Sequence, residues 1–277
     1  MPGRAYPAPA ASLTMLRVEI GPGTRVLVTG ASRGLGRSIA EAFAWRGAVL
    51  GLVARTESDL HTLVDELPEA DHKILIADAT DRAQMAAAVE AFGDIDVVVA
   101  NAGVARYLNF SELPLDEAER MTSVNWLGTL YTVQPALRRM IERGSGNVVI
   151  VSSGAGIRAF PQASVYGATK AAQLAFGRAL QHELDGTGVN VTLVLPGELE
   201  THLHDHQRDQ LPDWREDKYA MPARPLAERV VKAVEQGQPE VYYPGSIKAL
   251  RVFQGISPKM ADRILRMMRG KAAAPRR

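Results

Sequence analysis

A glycine-rich turn between a predicted strand and a predicted helix is the feature that most constrains the fold. The apolar run 25–29 is typical of a buried strand, and the helical pattern after the turn ends at Gly47. Glycines let the backbone approach a pyrophosphate, and a helix N-terminus offers unpaired N–H groups to it. This order of elements favours a nucleotide-binding turn over a plain tight connection. The turn reads Thr29-Gly30-Ala31-Ser32-Arg33-Gly34-Leu35-Gly36.

Further apolar runs alternate with helical patterns along the chain. Where strands and helices alternate in this way, the strands pair in parallel and helices cover both faces of the sheet. The sequence therefore predicts an α/β fold with a single Rossmann-type, doubly wound parallel sheet of about seven strands. A ligand of such a sheet lies at the carboxyl ends of the strands. The predicted strands cover 25–29, 48–54, 73–77, 96–100, 147–152, 190–195 and 240–243, and the longer helices cover 82–92, 116–143, 164–185 and 225–236.

Composition narrows the functional classes. The 277 residues are 46% hydrophobic and 23% charged, which is ordinary for a globular protein. There is no cysteine, so disulfides and thiolate metal sites are excluded. The net charge of +1 gives no indication of nucleic acid as a partner. No apolar run is long enough to span a bilayer, and the N-terminus lacks the apolar core of a signal peptide, so we expect a cytoplasmic protein.

The chain divides into three regions. Residues 1–20 are rich in proline and alanine and are predicted to form a disordered tail, within which Met15 is an alternative start. Residues 21–245 hold the alternating pattern and form the predicted Rossmann-fold domain. Residues 246–277 form a basic, amphipathic C-terminal extension.

A tyrosine and a lysine lie four residues apart in a segment that reads as helix, Ser164-Val165-Tyr166-Gly167-Ala168-Thr169-Lys170. That spacing places both side chains on one face of the helix, one turn apart. A nearby ammonium favours the phenolate and lowers the pKa of a tyrosine from its usual value of about 10. The pair therefore suits proton donation near neutral pH, whereas a solvated surface pair is the alternative interpretation.

Two motifs together resemble those of one protein family. The spacing Thr-Gly-x-x-x-Gly-x-Gly, followed later by Tyr-x-x-x-Lys, resembles the classical short-chain dehydrogenases/reductases over roughly residues 26–243. The resemblance implies that Tyr166 is the catalytic acid or base and that Lys170 lowers its pKa and bonds the nicotinamide ribose. It implies that Ser153, thirteen residues before the tyrosine, binds the carbonyl oxygen. Asn125, in Val-Asn-x-x-Gly, matches a residue that holds a water of a proton relay from the lysine.

The same resemblance implies a nicotinamide dinucleotide along the strand ends. Asp78 matches the aspartate that contacts adenine, and Asn101 and Gly103 belong to a turn beside the adenine ribose. In the Pro-Gly turn after the sixth strand, Leu199 and Thr201 match the groups that hold the nicotinamide carboxamide. The implied cofactor-binding residues are Gly30, Ser32, Arg33, Gly34, Leu35, Gly36, Arg55, Asp78, Asn101, Gly103, Tyr166, Lys170, Pro196, Gly197, Leu199 and Thr201.

Two arginines favour NADP(H) over NAD(H) as the cofactor. In Rossmann-type sites an acidic residue after the second strand binds the ribose 2′-hydroxyl, while an arginine accommodates a 2′-phosphate. This chain has Ala54 and then Arg55 at that place, and Arg33 lies in the glycine turn. Two guanidinium groups without a carboxylate suit a phosphate dianion. The alternative is that either arginine is merely a surface charge.

Residues 198–224 depart from any regular pattern, and the resemblance implies a substrate lid there. His202 and His206 have the i, i+4 spacing of metal ligands, but no third ligand is evident, so we expect solvated histidines and no metal site. The lid also holds large side chains that either line an apolar pocket or pack the lid on the domain, namely Trp214, Tyr219 and Met221.

The C-terminal extension has an apolar helical face with basic residues on the other side. Such a helix either lies on an anionic membrane surface or covers a neighbouring subunit or the protein's own core. The residues of the apolar face are Met260, Ile264, Met267 and Met268.

These features predict an oxidoreductase that transfers a hydride between NADP(H) and a ketone or secondary alcohol. The apolar lid and basic tail indicate a lipophilic substrate. The alternatives are an NAD(H)-dependent alcohol dehydrogenase of the same fold and a non-catalytic, nucleotide-sensing protein, against which the four catalytic-type residues argue. The family resemblance also implies a homodimer or homotetramer built on the helices that carry Asn125 and Tyr166.

Overall fold

A parallel sheet of seven strands forms the centre of the molecule. The computed structural model describes residues 18–200, 203, 207, 211, 220–259 and 263, so most of the predicted tail 1–20 lies outside the described residues. The strands are β1 (Arg25–Thr29), β2 (Val49–Ala54), β3 (Lys73–Ile76), β4 (Val97–Ala100), β5 (Gly146–Val151), β6 (Val189–Pro196) and β7 (Glu240–Tyr243). They lie in the order β3-β2-β1-β4-β5-β6-β7 and pair in parallel throughout, which confirms the predicted fold class.

Helices cover both faces of this sheet. The helices of the described residues are α1 (Gly34–Ala44), α2 (Glu57–Glu66), α3 (Arg82–Phe92), α4 (Leu115–Met121), α5 (Gly128–Arg143), α6 (Gly154–Ile157), α7 (Ser164–Glu183), α8 (Ala223–Glu235) and α9 (Gly245–Ile256). One hydrophobic layer joins the sheet to α1, α2 and α8, and the other joins it to α3, α5 and α7. For most helices and strands, the predicted boundaries differ from the observed ones by only a few residues.

The composition of the strands follows from burial on both sides. Along β1, Val26 and Val28 point into the layer of α1 and α8, and Leu27 points into the layer of α3 and α5. All three side chains are fully buried. Strands covered on both faces read as continuous apolar runs instead of alternating ones, which is why the sequence predicted them.

The strand order reverses between β1 and β4, and this reversal opens a crevice at their carboxyl ends. A buried polar contact joins the two strand ends there. The Asn101 amide, just after β4, donates to the Thr29 carbonyl over 2.9 Å, and the Thr29 hydroxyl accepts from the Asn101 main-chain N–H over 3.1 Å. The two loops that line the crevice are thus held at a fixed spacing.

The predicted single helix over 116–143 contains an irregular turn. A π-helical segment, Thr122–Leu127, separates α4 from α5 while the chain keeps its direction. Such wide turns are rare and occur frequently at functional sites. Sequence periodicity did not predict it, because the side-chain contacts of Asn125 that accompany it come from distant parts of the chain.

The last described helix, α9, crosses the predicted boundary between the domain and its extension at residue 245. It packs on β7 and α6, and Ile247 approaches Gly154 at the start of α6. Arg251 forms an ion pair with Glu240 of β7. Within the part of the chain that the structure describes, no helix combines the length and the apolar character needed to cross a membrane.

Gly36→Ala should lower the free energy of unfolding by about 2 kcal/mol, because a Cβ there would collide with the Gly30 carbonyl and the Asn101 amide. Gly255→Ala is the matched control. It also replaces a helical glycine, but no atom lies within 4 Å of the new Cβ, so it should stabilise by about 0.5 kcal/mol. Urea unfolding of both variants measures the difference, and equal effects would contradict the close approach at Gly36.

Candidate active site

A cavity of about 890 Å³ lies at the carboxyl ends of the strands. Its walls come from the loops after β1 to β6 and from α4, α7 and α9. Most residues predicted to bind cofactor or substrate line this one cavity, although they are dispersed over the sequence. The predicted residues found in its wall are Gly30, Ser32, Arg33, Gly34, Leu35, Gly36, Arg55, Asp78, Asn101, Gly103, Ser153, Tyr166, Lys170, Pro196, Gly197 and Leu199.

Lys170 is a buried amine at the centre of this wall. Its Nζ donates to the Val151 carbonyl at the end of β5 over 3.0 Å and lies 5.9 Å from the centroid of the Tyr166 ring. Burial lowers the pKa of Lys170 to about 7, because removal from water penalises the ammonium form. The amine can therefore hold or release a proton near neutral pH.

Tyr166 is 6% exposed, and its ring faces the cavity from the first turn of α7. The edge of the Tyr107 ring meets it at an angle of 88°, with the ring centroids 5.9 Å apart. This T-shaped contact fixes the orientation of the phenol. The predicted pairing of Tyr166 with Lys170 on one face of a helix is confirmed as geometry, and both residues are buried instead of solvated.

The two serines after β5 have different environments. Ser153 lines the cavity and precedes α6, where its Oγ accepts from the Ala155 N–H over 3.1 Å. Ser152 turns its hydroxyl away and donates to the Lys170 carbonyl over 2.7 Å. Ser152 thus holds the helix that carries the lysine, and Ser153 is the hydroxyl placed to meet a ligand.

Asn125 lies in the π-helical turn, fully buried, and does not line the cavity. Its Oδ1 accepts from the Val104 N–H over 2.8 Å, and its Nδ2 donates to the Val104 carbonyl over 2.9 Å. Nδ2 also donates to the Thr169 hydroxyl over 2.9 Å. The amide joins the loop after β4 to α7, one residue before Lys170.

Gln173 is a buried residue of this network that the sequence did not single out. Its Nε2 donates to the Asn125 carbonyl over 2.8 Å and to Thr129 Oγ1 over 2.7 Å. The helical spacing could have indicated this role, because it places Gln173 on the same face of α7 as Tyr166 and Lys170. A polar residue on the inward face of a helix needs hydrogen-bond partners inside the protein.

The glycine turn has the shape that its sequence predicts. Gly30 and Gly34 adopt φ angles of 65° and 56°, which favour glycine, and α1 begins directly afterwards. The first turn of α1 contains no acidic residue and has no side-chain cap. Its N–H groups and the positive end of the helix dipole therefore suit an anionic group.

Arg55 and Asp78 lie at the end of the cavity formed by β2 and β3. Arg55 Nη1 is 3.8 Å from Asp78 Oδ2, and the Arg55 side chain is mostly exposed. Burial raises the pKa of the Asp78 carboxyl, but hydrogen bonds from Thr80 and the charge of Arg55 outweigh it, so the net pKa is lowered. The Asp78 carboxyl is thus charged at neutral pH, and both side chains line the cavity.

The opposite end of the cavity is apolar. Tyr107, Phe160 and Leu203 line it and pack in one cluster with Tyr166, and Ile247 lines the cavity beside Gly154. Of the three large lid side chains that the sequence singled out, Met221 is described, and it packs on the core beside Leu199 without lining the cavity, which fits packing of the lid on the domain. The other two, Trp214 and Tyr219, lie outside the described residues, as do Thr201, His202, His204 and His206.

This chain is similar in sequence to proteins of one family. A family model described as short chain dehydrogenase matches residues 24–212. Glycine betaine reductase ATRR of Emericella nidulans is 38% identical over 187 residues, which are 65% of this chain but only 15% of that protein. An uncharacterized oxidoreductase of Staphylococcus epidermidis is 33% identical over 214 residues, which cover 76% of this chain and 90% of the relative.

Solved structures show the same fold. A short chain dehydrogenase of Burkholderia cenocepacia in complex with NADP superposes with a TM-score of 0.77 at 26% identity, covering 90% of this chain and 99% of that one. A short chain dehydrogenase/reductase of Burkholderia phymatum in complex with NAD has a TM-score of 0.78 at 24% identity, covering 88% and 96%. The family match over residues 24–212 assigns the chain to the oxidoreductases. More narrowly, this chain belongs to the short-chain dehydrogenase family.

Lys170→Met should raise the free energy of unfolding of the ligand-free protein at pH 7 by about 1 kcal/mol or more. The pKa of about 7 in the folded protein lies below the ordinary value of 10.5, so the unfolded chain binds more protons between these values. The cost of burying the ammonium is therefore fully present below pH 7 and disappears as the pH approaches 10.5.

Urea unfolding of both proteins at several pH values from about 6.5 to 9.5 measures this difference. The advantage of Lys170→Met should shrink as the pH rises. Lys232→Met, at an exposed lysine of α8, is the matched control and should show no such trend. A constant difference between wild type and Lys170→Met across the range would contradict the lowered pKa.

Proposed function

We propose that this protein is an NADP(H)-dependent oxidoreductase that interconverts a ketone and a secondary alcohol. The observation that carries the proposal is the cavity itself. A buried tyrosine, a buried lysine and a serine hydroxyl line one part of it, and the glycine turn with Arg33 lines another part together with Arg55. Proton transfer and dinucleotide binding are thus supported within one continuous space.

The residues present fit a dinucleotide. The turn between β1 and α1 offers helix N–H groups to a diphosphate, and a side chain at Gly36 would obstruct the turn. At Gly103 a Cβ would lie 3.4 Å from Asn125 Oδ1 and 3.5 Å from Lys170 Nζ, so this glycine keeps the wall of the cavity thin beside the lysine. A nicotinamide dinucleotide bound here would supply or accept the hydride.

The side chains of the chain itself supply the remaining chemistry. Ser153 Oγ binds the carbonyl oxygen of the substrate, and the Tyr166 hydroxyl donates its proton to that oxygen as carbon is reduced. The Ser153 hydrogen bond strengthens as negative charge develops on the oxygen, so it lowers the barrier as well as orienting the substrate.

Lys170 and Asn125 act behind the tyrosine. The ammonium form of Lys170 stabilises the phenolate left on Tyr166, and a lysine with a pKa of about 7 can also return a proton to it. Asn125, with both ends of its amide engaged, fixes the loop at Val104 beside the lysine, where the proposed relay water would lie. In oxidation of the alcohol the same groups work in reverse.

The apolar end of the cavity supports a lipophilic carbonyl substrate. Tyr107, Phe160 and Leu203 pack in one cluster with Tyr166, and Ile247 lines the cavity beside Gly154. Burial of apolar substrate surface against these side chains contributes about 25 cal/mol per Å². A subunit contact on the helices of Asn125 and Tyr166 remains part of the proposal. It is supported by Trp126 and Phe176, which pack edge to face with ring centroids 5.6 Å apart and are only partly buried by the rest of the protein.

Tyr166→Phe should lower kcat for ketone reduction at least about 1,000-fold, because the general acid is lost while the ring remains. The Kd for NADPH, measured by fluorescence titration, should change less than about threefold. Tyr131→Phe, at a partly buried tyrosine of α5 outside the cavity, is the matched control and should retain wild-type turnover.

Near-normal turnover in Tyr166→Phe would contradict the mechanism. Tight NADPH binding by the wild type without turnover of any ketone in a broad screen would instead favour the non-catalytic, nucleotide-sensing alternative. The two failures are distinct, because the first requires activity and the second requires its absence.

Arg55→Asp should shift cofactor preference towards NADH, because a carboxylate repels a 2′-phosphate and accepts hydrogen bonds from a 2′-hydroxyl. We expect the ratio of kcat/KM for NADPH to that for NADH to fall at least about tenfold. Arg138→Asp makes the same charge change on the exposed surface of α5 and should leave the ratio unchanged. A wild-type enzyme that already prefers NADH would overturn the assignment of NADP(H).

A further inference from the structure

We infer that the outer face of α9 docks onto an anionic lipid surface. This outer face consists of Ala249, Val252, Phe253 and Ile256, which the helical spacing places in one stripe. Val252, Phe253 and Ile256 are 52%, 42% and 72% exposed, and no residue of α9 is buried. An apolar stripe on a soluble domain normally faces its core, whereas this one faces outwards.

The orientation of α9 is fixed by contacts on its opposite face. Ile247 reaches the wall of the cavity, and Arg251 forms an ion pair with Glu240 of β7. Gln254 Oε1 accepts from Arg158 Nη1 over 3.0 Å. These contacts lie on the side of the helix opposite the outer face. The contacts that hold α9 on the domain therefore keep the apolar stripe exposed.

Exposed cations flank the outer face. Lys248 lies within α9, and Lys259 and Arg263 follow it, all with exposed side chains. The sequence contains no aspartate or glutamate from residue 241 to residue 261. Arg251 belongs to the ion pair with Glu240 and is not counted among these cations. Lysine and arginine beside an apolar stripe are the composition of helices that lie in the headgroup region of anionic membranes.

Positive charge is concentrated in the C-terminal part of the sequence, which contains α9. Residues 246–277 contain nine basic residues and one acidic residue, a net charge of +8, whereas the whole chain carries +1. The first 245 residues therefore carry −7. An anionic surface would attract the α9 end of the sequence and repel the rest, so the charges favour one orientation.

A second copy of this chain fits the outer face less well. A two-fold contact through α9 would place the same patch of both copies together, and with it their Lys248, Lys259 and Arg263 side chains. That contact would gather like charges around the apolar stripe. A lipid surface provides anionic headgroups for the cations and an acyl boundary for Phe253 and Ile256.

Co-sedimentation of the full-length protein with vesicles tests this inference and does not depend on the proposed reaction. The protein should sediment with phosphatidylcholine vesicles that contain phosphatidylglycerol and remain in solution with phosphatidylcholine alone. Raising the salt concentration should weaken the binding. Phe253→Ser with Ile256→Ser should lower the partition coefficient at least about tenfold, and Lys248→Glu about fivefold.

Matched controls distinguish docking through the outer face from nonspecific binding to vesicles. Phe110→Ser with Leu115→Ser replaces an aromatic and an aliphatic side chain that are 62% and 68% exposed elsewhere, and it should leave the partition coefficient unchanged. Lys232→Glu repeats the charge change on α8 with little effect expected. All four variants change exposed residues, and circular dichroism checks that they fold.

Three results would overturn the inference. The first is wild-type protein that stays in solution with the anionic vesicles. The second is equal binding by wild type and the Phe253→Ser, Ile256→Ser variant. The third is a dimer, seen by size-exclusion chromatography with light scattering, that this variant dissociates while vesicle binding is absent, which would assign the outer face to a subunit contact.

Discussion

The side-chain amide of Asn125 joins three parts of the active site that are distant in sequence. It bonds both main-chain groups of Val104 and the Thr169 hydroxyl, and the main-chain carbonyl of Asn125 accepts from Gln173 Nε2. Leaving one end of a buried amide unpaired costs about 1–3 kcal/mol, so each bond supports the others. Because Thr169 adjoins Lys170, this network sets the position of the lysine relative to the loop after β4.

Departures from regular, low-energy structure concentrate around that network. The helix widens to a π-turn at Asn125, and the Lys170 amine is buried without a carboxylate among its described hydrogen-bond partners. Gln173 Oε1 is buried and has no hydrogen-bond partner among the residues that the structure describes. Each departure costs folding free energy that the two hydrophobic layers of the sheet offset. Local conflicts of this kind are expected where a fold holds reactive groups in place.

The sequence predicted the sheet and the glycine turn because both follow from local pattern. Strands buried on both faces are continuous apolar runs, and the turn needs glycine at particular φ angles. The π-turn and the outward stripe of α9 depend on contacts between distant residues, so no local pattern carries them. Helical spacing places Gln173 on the inward face of α7, but it does not identify Asn125 and Thr129 as its partners. The meeting of Ser153, Tyr166 and Lys170 was expected only through resemblance to a family, since spacing along the chain does not fix distance in space.

The close approach of Gly36 to the Gly30 carbonyl affects the kinetics of ligand binding at the glycine turn. The turn is shaped by the backbone of α1 packed against it, so its conformational entropy is lost during folding and not during association. Little rearrangement of the turn then precedes binding. Capture of a dinucleotide at this end of the cavity should follow one kinetic phase whose rate rises linearly with ligand concentration, as for a preorganised receptor.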